Sequence, residues 1–598
     1  IRNEERAVNE DFDPYMTAII ANRVDGIIRE MTNTLLRAAR SAVINAARDF
    51  SCSICTGDDE LLASAEGLPV HIFGSNLQTA AMREFHGDDV REGDCYLHND
   101  PYSGNTHAAD HTFMAPVFFE GEHLFTAIAK AHQADTGNAL PTTYMAGAVD
   151  QYAEGTLIFP AVRIQRDYEM IDDVVRMCRS RIRVPDQWYG DFLAGIGAAR
   201  IGERRLKELC AKYGKAAIKS FVRDWLDYSE ARMVGEIRKL PKASVRNTGA
   251  HDPFGDILPD GIPINVTINI DPEAAMIELD LTENIENTET GFNMSVACAT
   301  SSSIAGVFNS LDPSIPRNAG SFRRVTHRLR EGRVVGVPRF PHSCSVATTN
   351  VADRLVNMVQ SGFAKLGDGY GLAEGGVGMG GGFANVSGKD HRHGDAPYVN
   401  QLYVSSNGGP ASATTDGWLT HSLPVAAGLM FKDSVEIDEL KHPIEFTHLS
   451  VIPGTGGAGR QRGAPAIACG FTPKKHPVTI LWPCDGTVFA PSGVHGGRPG
   501  ARCRHVKVDR AGVETELPTV VEDVLEFGER LFGNQCAGGG YGDPMERDPN
   551  KVLEDVLERY ETPERARSVY GVALTGSEEF GELAVDMEET RKLRNIAD

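Results

Sequence analysis

Near the start of the chain Val24, Ile27, Ile28, Met31 and Leu35 recur at helical spacing, which predicts an amphipathic helix with that face buried. Asp13-Pro14 opens it, with a carboxylate at the cap and a proline where the missing N–H does no harm. Helical spacing returns from Asp186 through Leu193, Ile196, Ile201, Leu206 and Leu209. It breaks at Tyr213-Gly214 and resumes over 216–240, ahead of Pro241. Between the first helix and this tract the chain is rich in His, Asp, Gly and Asn. Two short apolar pieces there, 113–119 and 124–129, read as strands, so polar loops on a rigid frame are expected, the usual setting of a site.

Past residue 250 the period changes. Ile264, Val266, Ile268 and Ile270 alternate, Asp271-Pro272 supplies a turn, and Ile277, Leu279 and Leu281 alternate again, which predicts a β-hairpin. Residues 371–382 are dense in glycine, 444–508 are β-rich with strands at 478–481 and 505–508, and 552–560 read as helix. The closing EEFGELAVDMEETRKLRNIAD is a highly charged tail that packs on a partner or stays mobile. No repeat of fixed period is present. The expectation is a multi-domain, mixed α and β (α+β) protein with a helical, loop-rich N-terminal half and a β-rich C-terminal half. Three regions are expected: 1–245 with the helices and a metal-type loop, 246–440 as a central α/β region with glycine-rich loops, and 441–598 with the charged tail.

Composition narrows the partners. The 598 residues are 41% hydrophobic and 24% charged, values of a soluble globular protein large enough for several domains. A formal charge of −22 argues against a nucleic-acid or anionic-membrane surface. Apolar runs such as 114–119 fall far short of the ~20 residues of a membrane span, and the polar, acidic N-terminus has no apolar signal core. A cytoplasmic location is therefore expected. Eleven cysteines, an odd count spread from Cys52 to Cys536, read as reduced thiols rather than a disulfide framework.

The strongest chemical signal is LHNDPYSGNTHAADHTF at 97–113, followed by KAHQADTGN at 130–138. Together they hold His98, Asp100, His107, Asp110, His111, His132 and Asp135, and with His123 five of the 18 histidines fall within 35 residues. Imidazole nitrogen and carboxylate oxygen suit Zn, Mn or Fe, and two histidines plus one carboxylate leave positions open for water or substrate. Such a site activates water or polarises a carbonyl. The alternative is a set of polar side chains that cap turns and satisfy one another, and no HExxH decides between the two. Cys52 and Cys55 form a CxxC with neither a second pair nor a thioredoxin-like context, and read as buried thiols. Gly376, Gly378 and Gly381 spell GxGxxG, yet FANVSGKDHRHGD follows instead of an apolar helix, so no dinucleotide site is expected. There is no GxxxxGK[ST] and no GxSxG elbow. Arg460 and Arg462, in the glycine-rich 454–463, either bind an anion or sit exposed on a structural turn.

Several segments in order carry a family resemblance: Arg48-Asp49-Phe50-Ser51-Cys52, LPVHIFGSN at 68–76, GDCYLHNDPYSGNTHAADHTFMAPVF at 93–118, AHQADTG at 131–137, FNMSVACATSSS at 292–303, GGP before TTDGW at 408–418, and GTGGAGRQRGAP at 454–465. The chain resembles the hydantoinase B family, which includes the B-type half of 5-oxoprolinase and the metal-bearing subunits of acetone and acetophenone carboxylases. The resemblance implies a hetero-oligomer in which an A-type partner subunit binds ATP at an actin-like site and phosphorylates a carbonyl or enolate oxygen of a small-molecule substrate. It implies a divalent metal, Zn, Mn or Fe, on His107, Asp110 and His132. His98, Asp100, His111 and Asp135 would then be catalytic, as orienters or proton carriers, with His71 a weaker candidate for the same wall. The implied function is an ATP-dependent amidohydrolase of hydantoinase, oxoprolinase or lactamase type that opens a phosphorylated cyclic amide. The stretch 414–445 is closer in style to the carboxylase branch, so an ATP-dependent ketone carboxylase is the alternative. A non-catalytic scaffold for the ATPase subunit is the third reading. A length of 598 lacks the extra mass of the larger acetone carboxylase subunit and favours the cyclic-amide reading.

Overall fold

The first helix, Pro14–Ala38, begins at the expected cap: the Asp13 carboxylate accepts from the Tyr15 and Met16 amides, and Pro14 occupies the first turn. Its face of Val24, Ile27, Ile28, Met31 and Leu35 is buried, each fully buried aliphatic side chain contributing about 1.5–3 kcal/mol. This computed structural model describes residues 13–64, 67–577 and 582–595. The Pro14–Ala38 helix packs along Pro185–Tyr213, which is followed after Gly214 by Lys215–Ile237. Close approach depends on glycine. A Cβ on Gly202 would lie 2.6 Å from Met31 Sδ, and one on Gly195 would lie 2.3 Å from the Phe113 ring.

Beneath these helices lies a seven-stranded sheet of order β2-β1-β5-β4-β3-β6-β7. Its strands are β1 (Phe50–Thr56), β2 (Leu61–Ser64), β3 (Cys95–His98), β4 (Asp110–Phe119), β5 (Glu122–His132), β6 (Val162–Arg166) and β7 (Glu169–Met170). Only β4 and β5 are legible as apolar pieces in the sequence. β1, read there as a cysteine motif, is buried at all seven positions, so the alternation of Phe50 to Ile54 does not mark a face turned to solvent. β4 and β5 form a hairpin whose turn residues Glu120 and Gly121 both have positive φ, 51° and 74°, the backbone that matches the twist of a two-residue turn. The resulting register sets Asp110 opposite His132.

A second sheet, of order β11-β10-β9-β8, contains the expected hairpin of β9 and β10. Its strands are β8 (Ala243–His251), β9 (Ile262–Asp271), β10 (Met276–Asp280) and β11 (Val325–Arg328). Helix Val351–Ala364, buried along its whole length, packs on β8, β9 and the helix Val296–Asn309. One continuous apolar core runs from Ile20 to Met430, across the regional boundary expected at 245.

The strands between residues 385 and 534 are β12 (Asn385–Asp390), β13 (Ala396–Gln401), β14 (Ile444–Val451), β15 (Ile467–Pro473), β16 (Val478–Pro483), β17 (Arg504–Val508), β18 (Glu514–Glu516), β19 (Val520–Leu525) and β20 (Arg530–Asn534). They form two sheets, β13-β12-β16-β19 and β14-β15-β20-β17-β18. The 376–381 glycines lead into a short turn of 3-10 helix, Gly381–Phe383, and then β12, so no dinucleotide-type helix follows them. A layer of glycines packs backbone on backbone nearby. A Cβ on Gly463 would lie 2.0 Å from the Gly538 carbonyl oxygen, and one on Gly538 would lie 1.9 Å from that of Gly409. Arg460 pairs with Asp368 and Glu546, and Arg462 with Asp555, so both guanidiniums serve structural ion pairs. Arg354 of the buried helix meets Asp485, after β16, in a bidentate pair at 2.7 and 3.0 Å, joining the two halves of the chain.

The expected 552–560 helix is Pro549–Leu557. Of the charged tail, 578–581 and 596–598 lie outside the described residues. The helix Met587–Leu593 packs back on its own chain, with Arg594 donating to the Tyr570 and Arg547 carbonyls. Among the described residues no helix is long and apolar enough to cross a membrane.

The contact of Pro185–Tyr213 with the sheet yields a direct test. Gly195→Ala drives a methyl into Phe113, and it should lower stability by about 1–3 kcal/mol, read as a reduced urea midpoint.

Candidate metal centre

The β4–β5 register brings the expected ligands together. His107 Nε2 lies 2.8 Å from Asp110 Oδ1, and His132 Nδ1 lies 3.1 Å from the same oxygen. All three residues are buried, and their ligating atoms lie within 4.8 Å of one another. His107 Nδ1 is 3.1 Å from the Ser345 carbonyl, which can only accept, so this nitrogen carries the proton and Nε2 turns its lone pair toward Asp110. His132 Nε2 is 2.9 Å from the Thr143 hydroxyl, and donation there leaves Nδ1 as a second lone pair. Two imidazole lone pairs and a carboxylate then converge, a buried arrangement that requires a cation among them, whether a proton or a metal.

The surrounding charges respond to that demand. Lys130, buried on β5, lies 3.4 Å from Asp110 Oδ2 and donates to Thr106 at 2.8 Å. His71 Nε2 bridges two acids, 3.3 Å from Asp110 and 3.5 Å from Asp49. Burial raises the Asp110 pKa, but His107, His71 and Lys130 outweigh it and hold the carboxyl well below the usual range. Burial lowers His107, and Asp110 more than reverses this, so its net shift is upward. For Lys130 burial prevails over Asp110, and its pKa falls. Tyr403 donates to Asp49 Oδ2 at 2.9 Å, while the buried Asp49 Oδ1 has no hydrogen-bond donor. Tyr144 stacks on His132, with ring centroids 5.2 Å apart, and burial pushes its phenol well above its ordinary value.

The other expected site residues are placed differently. His98, on β3, accepts from the Ala161 amide at Nδ1, and burial, aided by Lys130, takes its pKa to about 3. His111 follows Asp110 on β4, so strand alternation turns it to the opposite face, edge-on to Phe159 and Trp188. Burial takes it to about 3 as well, and neither ring nitrogen has a hydrogen-bond partner. Asp100 caps a turn, accepting from the Tyr102 amide and the Ser103 hydroxyl. Asp135 accepts from the Arg183 amide and guanidinium and from the Gly137 amide. These engagements are local, and neither carboxylate joins the His107–Asp110–His132 group. Sequence reading missed Lys130, Tyr144 and Tyr403. The lysine is legible in retrospect as a lone charge inside the apolar run TAIAKAH, whereas the tyrosines carry no local signal.

A cavity of about 20 Å³ lies against His71, His107, His132, Tyr144 and Tyr403. A larger one, about 540 Å³, is lined by Arg29, Arg48, Trp418 and Lys432, and Met430 borders both.

The model of the hydantoinase B/oxoprolinase family matches residues 13–544. The chain belongs to that family. It is 27% identical to the caprolactamase subunit beta of Pseudomonas jessenii over 96% of this chain and 98% of that protein. To the acetophenone carboxylase delta subunit of Aromatoleum aromaticum it is 25% identical, over 97% of this chain and 89% of the other. The crystal structure of the ATP-dependent caprolactamase from P. jessenii superposes with a TM-score of 0.88 at 24% identity, covering 98% of this chain and all of that one. These relatives are named as subunits of enzymes, and the family is an enzymatic one.

Lys130→Met leaves the Asp110 charge short of a partner. In chelator-treated protein it should cost about 3–5 kcal/mol, measured by urea unfolding.

Proposed function

We propose that the chain is the B-type subunit of an ATP-dependent amidohydrolase, acting on a cyclic amide activated by phosphorylation on an A-type, ATP-binding partner. The observation that carries this reading is the convergence of the His107, Asp110 and His132 donor atoms on one buried point. The residues fit a divalent metal, Zn or Mn: two nitrogens and a carboxylate, with outer hydrogen bonds from His107 to Ser345 and from His132 to Thr143 that orient the rings. When bound, such an ion supplies Lewis acidity and brings water toward ionisation at neutral pH.

The chain's own side chains do the rest. His71 can hold a proton between the Asp49 and Asp110 carboxylates, and Lys130 offsets the remaining charge. Tyr144 and Tyr403 keep neutral phenols against the small cavity and limit water there. The larger cavity carries Arg29 and Arg48, cations suited to a phosphorylated intermediate, with Lys432, which burial lowers to about 7, on the same wall, and Met430 stands between it and the centre. His98 remains a candidate proton carrier, whereas His111, Asp100 and Asp135 serve the frame.

One observation favours a second reading, an ATP-dependent ketone carboxylase: Trp418, Met430 and Lys432, all in the carboxylase-like 414–445 stretch, line the cavity. Reconstitution with the A-type partner separates the two. Ring opening of a lactam or hydantoin with stoichiometric ATP use and no bicarbonate is expected, and incorporation of labelled bicarbonate into product would establish the carboxylase instead. His107→Ala, Asp110→Ala and His132→Ala should each abolish bound metal and turnover. Wild-type activity in all three would leave a scaffold. His71→Ala should weaken metal affinity by about 10–100-fold, measured by chelator competition.

A further inference from the structure

Where the two C-terminal sheets meet, two thiols and an imidazole converge, with a third thiol beside them. Cys484 follows β16, Cys503 and His505 stand at the start of β17, and Cys536 follows β20. The Cys484 and Cys503 sulfurs are 3.3 Å apart, and Cys536 hydrogen-bonds to Cys503. The ligating atoms of Cys484, Cys503 and His505 lie within 4.8 Å of one another, a set from which the Cys536 sulfur stands apart, and all four residues are buried. The three thiols share one acceptor, the Asp485 carbonyl oxygen, at 3.3, 3.1 and 3.7 Å from Cys484, Cys503 and Cys536.

Buried cysteines are often small core residues, and that accounts for their burial. It does not account for an imidazole brought among them, whose buried Nε2 has no hydrogen-bond partner. Gly380 and Gly533 are shaped around this ring: a Cβ would lie 2.2 Å from the imidazole at the first and 2.5 Å at the second.

We propose that Cys484, Cys503, His505 and Cys536 form a structural zinc site, separate from the His107–Asp110–His132 centre. Three sulfurs and one nitrogen are the donor set of a closed tetrahedral zinc, with no position left for substrate, and thiolates select zinc over magnesium, calcium or manganese. Zinc–sulfur bonds of about 2.3 Å set neighbouring sulfurs about 3.8 Å apart, so loading opens the Cys484–Cys503 pair by about half an ångström and draws the Cys536 sulfur inward to complete the set. The three thiols release their protons to solvent as three zinc–sulfur bonds form, and the neutral imidazole supplies the fourth ligand. The ion would staple β16 of one sheet to β17 and β20 of the other, beside the Arg354–Asp485 pair that joins them to the buried helix.

The test uses the full-length chain, expressed with zinc and purified under reducing conditions without chelator. Zinc X-ray absorption should show a sulfur-dominated shell at about 2.3 Å, and the Asp110→Ala variant should retain that zinc at one equivalent per chain. Cys503→Ser and Cys536→Ser should lose it. Should those variants misfold, cobalt loading of the wild-type chain still decides, through a sulfur-to-cobalt charge-transfer band. Zinc with only nitrogen and oxygen ligands, no cobalt–sulfur band, or a Cys484–Cys503 disulfide in the native protein would each overturn the proposal.

Discussion

Three electron-pair donors aimed at one buried point repel one another unless positive charge lies between or beside them, and the centre of this protein is built around that constraint. The Ser345 carbonyl fixes the His107 tautomer, so the ring cannot turn a proton-bearing nitrogen toward Asp110 without charging. Lys130 from β5 and His71 from the short helix Pro69–Ile72 flank the Asp110 carboxylate. Removing any one of these groups leaves the others partly uncompensated in a medium where that is costly.

The architecture around the centre serves to hold those donors still. Hairpin register sets Asp110 against His132, the sheet is buttressed by the Pro185–Tyr213 helix through Gly195, and the loop before β4 places His107. Yet the site is not the property of the N-terminal half. Ser345 and Tyr403 come from beyond residue 340 and hydrogen-bond to His107 and to Asp49 Oδ2. A fragment ending near 245 would hold the three ligands without the groups that orient them.

Where burial is one-sided, the sequence is readable. The first helix, the Pro185–Tyr213 helix and the β9–β10 hairpin show their period because one face meets solvent or a polar layer. β3 shows none, being buried throughout, and the alternation of β1 is masked by the CxxC within it, so the N-terminal half reads as helices, loops and two strands when a seven-stranded sheet lies at its middle. The same limit applies to the site. His107, Asp110 and His132 stand out by residue type and short spacing. Asp100, Asp135 and His111 share that composition but are turned elsewhere by a cap, an arginine and strand alternation. Cys484, Cys503, His505 and Cys536 have no motif at all, because three strands from two sheets bring them together.

The glycine layer at 408–409, 456–463 and 538–540 bears on how such a chain can change over generations. Gly457 donates to Gly538, Gly538 to Ala464 and Gly463 to Gly457, so the layer is backbone bonded to backbone with no room for a methyl. A side chain at Gly457, Gly463 or Gly538 forces two peptide planes apart, because the atoms nearest it are backbone and no neighbouring side chain can shrink in compensation. Divergence among descendants is thereby channelled to the charged exterior and the cavity walls, leaving a band of glycines at which no amino-acid replacement is free of cost.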